Sequence, residues 1–421
     1  MTRRTKTFRL AAVAATSALV LTACGGSDDD GGNDNDRAAE SKSDGVLTVG
    51  SLLPQTGSLA FLGPPEFAGV DLAIQEINET GGVLGQDVVG VKADSGDTDS
   101  GIAAAETDKL LDADADVIIG AASSGVSMTV VEKIMSNGTV MFSPANTSTD
   151  FDNGDFAEPD LYFRTAPSDI LQGAVMSNLL LEDGKQNIAI LARQDAYGET
   201  LAEEIKKGLE DAGSSVAATV FYGENAQSYD SQVQEIADAA PDAIVLVAFE
   251  ETTTIVPQLV SAGVGPQDVN TYFVDGNTAD YNGKLPDGTL EGTKGTIPGA
   301  ETAGDFRDRL LVVDPALTDF AYAGESYDAT VVSALAAIAA DSDAGDKIAE
   351  EIPGITEGGT KCTTFAECSD MLEAGEDIDY DGVSGPIELG ETGSPTAASI
   401  GIYQYGADNT YTAIDYISGT I

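Results

Sequence analysis

The chain has 421 residues, 42% of them hydrophobic, with 71 Asp and Glu against 20 Lys and Arg and a formal net charge of −51. So large an acidic excess argues against nucleic acid as a partner, because that binding relies on neutralising phosphates with Lys and Arg. The sequence has no histidine, which removes Ser-His-Asp and Cys-His nucleophiles and His-based zinc sites, and with them most hydrolase chemistry.

At the N-terminus, Arg3, Arg4, Lys6 and Arg9 precede an apolar stretch at residues 10–21, the layout of a signal peptide over residues 1–23. The stretch is shorter than the roughly 20 apolar residues that span a bilayer. It ends in Leu21-Thr22-Ala23-Cys24, which resembles the lipobox of bacterial lipoproteins. That resemblance implies cleavage before Cys24, lipidation of its thiol, and a protein held on the extracytoplasmic side of the cell membrane. The Arg3-Arg4 pair leaves Sec and twin-arginine export both open. Residues 24–45 are mostly Gly, Ser, Asp and Asn; they bury too little to offset their ordering entropy and read as a flexible acidic tether.

From residue 46 onward, short β-rich runs alternate with amphipathic ones. Strands are predicted at 46–52, 88–93, 117–119 and 140–143, with helices at 67–78, 102–111 and 126–136 between them. After a run at 162–164 a second series follows: strands at 188–191, 215–221, 243–247 and 272–274, and helices at 170–181, 199–212, 231–239 and 252–261. Two βαβ series predict two doubly wound, mostly parallel α/β lobes.

Ligands in such lobes bind beyond the C-terminal ends of the strands. After 117–119 comes Gly120-Ala121-Ala122-Ser123-Ser124-Gly125, small and hydroxylic, leading into a helix whose free amides and dipole suit an anion. It lacks the Lys of a phosphate-binding Walker loop. Pro144-Ala145-Asn146-Thr147 follows 140–143, Asp195-Ala196-Tyr197-Gly198 follows 188–191, and Asp275-Gly276 follows 272–274. Each loop alone is ordinary turn and N-cap chemistry. Together they pair donors for a carboxylate with an acid for an ammonium, which fits a zwitterion.

Ser51-Leu52-Leu53-Pro54-Gln55-Thr56-Gly57-Ser58, Glu66-Phe67-Ala68-Gly69 and Ile77-Asn78-Glu79-Thr80-Gly81-Gly82 look like the start of branched-chain amino-acid-binding proteins of ABC importers, the type I periplasmic binding proteins. The likeness runs through Ser143-Pro144-Ala145-Asn146-Thr147, Ser326-Tyr327-Asp328-Ala329 and Asp381-Gly382-Val383-Ser384-Gly385-Pro386. It implies two Rossmann-like lobes joined by three crossovers, the first at 46–165 and 298–380, the second at 166–297 and 381–421. It also implies importer permease subunits as partners, with a sensing role as the alternative, and no enzymatic activity or cofactor.

By position, the resemblance gives Ser124 the ligand carboxylate, completed by Ala145 and Thr147, with Asn146 where alanine is common. Tyr197 would close onto the ligand, Asp275 would hold its α-amino group, and Tyr322 would flank the cleft. Phe61 or Leu62 would form part of the side-chain pocket. Neither Ser124 nor Asp275 is expected to hold the core.

Cys362 and Cys368, with five residues between them in a compartment where disulfides persist, read as a local disulfide. Asp377, Asp379, Asp381, Gly382 and Glu388 satisfy the calcium-loop pattern of EF-hands. Against calcium, residues 386–389 read as a strand where that motif needs a helix, so no metal is assigned.

Overall fold

A computed structural model describes residues 42–153, 161–224 and 226–421. Cys24 and the signal-peptide expectation therefore lie outside the described residues. The first series is β1 (Thr48–Leu53), α1 (Gly63–Thr80), β2 (Val89–Asp94), α2 (Ala103–Asp112), β3 (Val117–Gly120), α3 (Ser124–Ser136), β4 (Val140–Ser143) and β5 (Tyr162–Arg164). Its strands form one parallel sheet in the order β2-β1-β3-β4-β5. α1 begins four residues before its predicted start because Pro64 and Pro65 fill its first turn, where proline loses no helical hydrogen bond.

The chain then crosses to α4 (Asp169–Glu182), β6 (Asn187–Arg193), α5 (Ala196–Asp211), β7 (Ser215–Tyr222), α6 (Asp230–Asp238), β8 (Ala243–Val247), α7 (Thr252–Ser261), β9 (Asn270–Phe273) and β10 (Lys294–Pro298). It returns through α8 (Gly304–Val313), α9 (Ala323–Ala340), α10 (Gly345–Ile355), β11 (Thr360–Cys362), α11 (Phe365–Glu373), β12 (Ile378–Gly382) and β13 (Gly385–Pro386). A third crossing leads to β14 (Ala397–Tyr405) and β15 (Tyr411–Thr420). The second sheet has the order β15-β14-β10-β9-β8-β6-β7, parallel except that β14 runs antiparallel to both its neighbours, β10 and β15.

Strand pleat explains why each sheet is covered on both faces. In β3, Val117 and Ile119 join one apolar cluster while Ile118 joins another. In β8, Val245 and Val247 face one cluster, Ile244 and Leu246 the other. Such strands read as continuous apolar runs, as parallel sheets buried on both faces should. α9 is buried almost throughout and packs against α1, α10 and α11. Its lack of a polar face is the sequence mark of a central helix.

Asp328 of α9 fastens the third crossing: it accepts bonds from Tyr380 Oη (2.7 Å), Val383 N (3.1 Å), Ser384 N (2.7 Å) and Ser384 Oγ (2.5 Å). Burial pushes this carboxyl up to about 6 against those donors. A Cβ at Gly382 would lie 2.3 Å from the same carboxylate, so only glycine fits there. The calcium-loop stretch is thus a strand pair, β12 antiparallel to β13, with Lys361 Nζ 3.1 Å from Asp379 and 3.0 Å from Asp381. Cys362 and Cys368 are joined by a disulfide. The end of the expected tether is tied down instead of loose: Asp343 accepts the amides of Asp44, Gly45 and Val46 and the Ser43 hydroxyl. Among the described residues, no helix is long and apolar enough to cross a membrane.

Candidate functional site

Between the two sheets, the ends of several strands and the starts of three helices enclose a small cavity. Leu59, Leu62, Ala122, Ser123, Ser124 and Ala145 line it from the first sheet's side, and Tyr197, Phe249, Asp275 and Gly276 from the second; Tyr322 completes the wall. Its free volume is about 10 Å³, room for about one water. The walls thus stand closer than an amino acid requires, and any such ligand must part them to enter.

Asp275 begins a one-turn 3₁₀ segment after β9. Its carboxylate accepts Tyr197 Oη (2.6 Å) and Gln172 Nε2 (2.8 Å) on one oxygen and Tyr322 Oη (2.7 Å) on the other. Burial raises its pKa, and the three donors oppose the rise. Burial and the Asp275 charge also push both tyrosines well above their usual value, so they stay neutral donors. Asp275 is therefore more structural than expected, since it cross-links α4, α5 and the start of α9. Tyr322 itself has φ 58°, in the left-handed region. A bulky side chain is uncommon there, and such strained positions gather at ligand clamps.

Tyr197 sits in the first turn of α5 and not in a loop, because Asp195 caps that helix by accepting Gly198 N at 2.8 Å. A Cβ at residue 198 would lie 2.2 Å from the Arg193 carbonyl, so the motif needs its glycine. On the opposite wall, Ser123 caps α3, and Ser124 opens it. Ser124 Oγ accepts Thr147 N (3.3 Å) and Ser148 N (3.4 Å), long bonds that leave the hydroxyl hydrogen for a ligand.

Of the residues expected at the site, Ser124, Ala145, Tyr197, Asp275 and Tyr322 converge on the cavity. Asn146 does not reach it: its amide bonds the carbonyls of Ala121 and Ala122 at 3.0 Å each and accepts Tyr162 Oη, stitching two loops together. Thr147 is fully buried behind Ser124, with its hydroxyl beside Asp169. Phe61 packs at the edge of two apolar clusters, while Leu59 and Leu62 line the cavity. The turn that bonds Leu62 N to Leu59 O puts those two on one side and Phe61 on another.

Two contributors escaped the sequence reading. Phe249 follows β8, where the sequence shows no turn motif like those after the other strands, and stacks on Tyr197 with ring centroids 5.4 Å apart. Gln172 lies one turn after Asp169 on α4, and a buried Asp and Gln at i and i+3 in an apolar helix is the signal that marked them. A wider groove of about 470 Å³ on the outer face of α1 lacks convergent donors, and its Lys92 is already paired with Asp71.

A family model described as periplasmic binding protein matches residues 46–409. The chain belongs to the type I periplasmic binding protein family. A relative from Brucella abortus named Leu/Ile/Val-binding protein homolog 2 is 30% identical over 66% of this chain and 76% of its own length. One from Halobacterium salinarum, the chemotactic signal transduction system substrate-binding protein BasB, is 26% identical over 82% of this chain and 83% of its own. The fold matches a branched-chain amino-acid transporter substrate-binding protein, LivJ of Streptococcus pneumoniae, solved with isoleucine: TM-score 0.71, 18% identity, 89% of this chain and all of that one. The two sheets joined by three crossings are the type I periplasmic binding fold, and members of this family are extracytoplasmic solute-binding proteins.

Proposed function

We propose that this protein captures an amino acid, of branched-chain type or similar, between its two halves and delivers it to an ABC importer. The observation that carries the reading is the Asp275 carboxylate held by Tyr197, Tyr322 and Gln172 opposite Ser124 at the start of α3. One wall offers an anion for the ammonium, and the other offers a hydroxyl and a helix N-terminus for the carboxylate. Ala145 completes the carboxylate side, with Thr147 behind it holding Ser124 through its amide; Leu59, Leu62 and Phe249 meet the side chain. The Leu/Ile/Val-binding name of the Brucella relative supports the same ligand class.

The lobes in this reading are residues 46–165 with 298–380, and 166–297 with 381–421. The course of β12 and β13 favours moving the last boundary past Pro386. Ligand binds with the halves apart, and closure follows only as far as the closed contacts favour it. No bond is made or broken, so the protein is a carrier and not an enzyme. Lipid on Cys24 keeps it at the membrane, beside the permease. Calorimetric titration with L-leucine and L-isoleucine tests the reading; absence of binding by any amino acid defeats it. A sensing role is the second reading, favoured by the name of the Halobacterium relative, and pull-down of a permease against a receptor subunit separates the two.

A further inference from the structure

Arg193 ends β6 with its side chain only 2% exposed and meets three carboxylates. Its Nε lies 2.6 Å from Asp195, its Nη1 2.9 Å from Glu251, and its Nη2 3.1 Å from Glu224. The guanidinium also lies 3.5 Å from the centroid of the Phe249 ring, which stacks on Tyr197 and lines the cavity. Only arginine offers a planar fork that pairs with several carboxylates while stacking on an aromatic face.

Glu224, just after β7, accepts a second bond from the Thr98 hydroxyl. Thr98 belongs to the turn after β2, on the first sheet's side of the cleft. One guanidinium thus connects a wall of the cavity to a bond that crosses the cleft. We propose that Arg193 is a positioning residue for the cavity: it fixes Phe249 against Tyr197 and, through Glu224 and Thr98, latches the two halves shut.

The electrostatics agree. Three carboxylates around one cation leave excess negative charge, and Tyr222 Oη already serves Glu251 at 2.8 Å. Glu224 therefore gains from a further donor, and its half-buried carboxyl is raised by burial while the Thr98 hydroxyl and Arg193 pull it back. Parting the halves removes Thr98, so a charge-assisted bond exists only in the closed arrangement. This inference rests on the reading that the halves close, and not on what they close around.

The test needs no ligand. Glu250 N donates to Ser58 O across the cleft at 3.3 Å, so hydrogen exchange of that amide in the full chain reports opening. Thr98→Val should speed Glu250 exchange about tenfold, the effect of losing one hydrogen bond to a charged group. The amides of Val245 and Val247 in β8 should keep their wild-type rates. Glu224→Gln should act the same way, and the double variant should be no faster than the faster single one. Wild-type Glu250 exchange in both single variants overturns the latch, and so does equal acceleration in β8, which would mean that these residues hold the fold. If the wild type binds no amino acid while the exchange result holds, the proposed ligand fails and the latch stands.

Discussion

Asp275→Asn separates the charge of the site from its shape. The carboxylate accepts three buried donors at 2.6 to 2.8 Å, and each bond to a charged acceptor is worth about 1.5 to 3 kcal/mol. Asp275→Ala leaves all three donors without their acceptor, so it should cost several kcal/mol of stability as well as binding. Asparagine keeps one acceptor oxygen for Tyr197 and Gln172, and the Tyr322 hydroxyl can turn to accept from its amide. It also sheds the cost of burying a charge. We therefore expect a stability change within about 1.5 kcal/mol in urea unfolding, the net worth of a single hydrogen bond. The ligand ammonium, in contrast, loses its desolvated counter-charge, at a cost of about 2 to 5 kcal/mol. In calorimetry with L-leucine this should appear as a Kd at least about thirtyfold weaker, the lower bound of that range. Wild-type affinity in Asp275→Asn would refute the assignment of the ammonium to this carboxylate.

Tyr322→Phe removes one donor from Asp275 and should weaken L-leucine binding about three- to tenfold while folding is kept; unchanged affinity would leave Tyr322 a wall only. Stability should fall as pH rises from about 4 to 8. Burial pushes Asp116, Asp169 and Glu325 up to about 8, so the folded chain holds protons that the unfolded chain, with carboxyls near 4, has released. Thermal melts at pH 5 should exceed those at pH 8, and Glu325→Gln should flatten the slope; a higher Tm at pH 8 would contradict this. Cys24→Ser should move the protein from the membrane fraction to the medium, and retained membrane association would exclude lipid on that thiol.

The fold was legible where physics is local. The strands at 117–119 and 140–143 stand out as short apolar runs between turn residues, and the structure has them within a residue, while the run at 162–164 forms β5. Beyond residue 274 the pattern is harder to read. α9 is buried on every side and shows no helical periodicity, and β15 alternates so weakly that little distinguishes it from loop. At the site, strand ends pointed to Ser124, Tyr197 and Asp275, because ligand loops in doubly wound sheets follow the strands. Asn146 misled because an amide that binds a ligand and one that stitches two loops look alike in sequence. Phe61 and Leu62 are neighbours in the chain, and only the turn between Leu59 and Leu62 decides which faces the cavity.

The most direct test of the central claim is a thermal-shift screen of the wild-type protein against L-amino acids, their decarboxylated amines and the matching acids without an amino group. A true ligand at ~100 times its Kd should stabilise by ~2.7 kcal/mol. The expected result is that intact amino acids, the branched-chain ones foremost, raise Tm while compounds lacking either head group do so far less. Acids without an amino group giving the largest shift would contradict the account, because nothing would then engage Asp275.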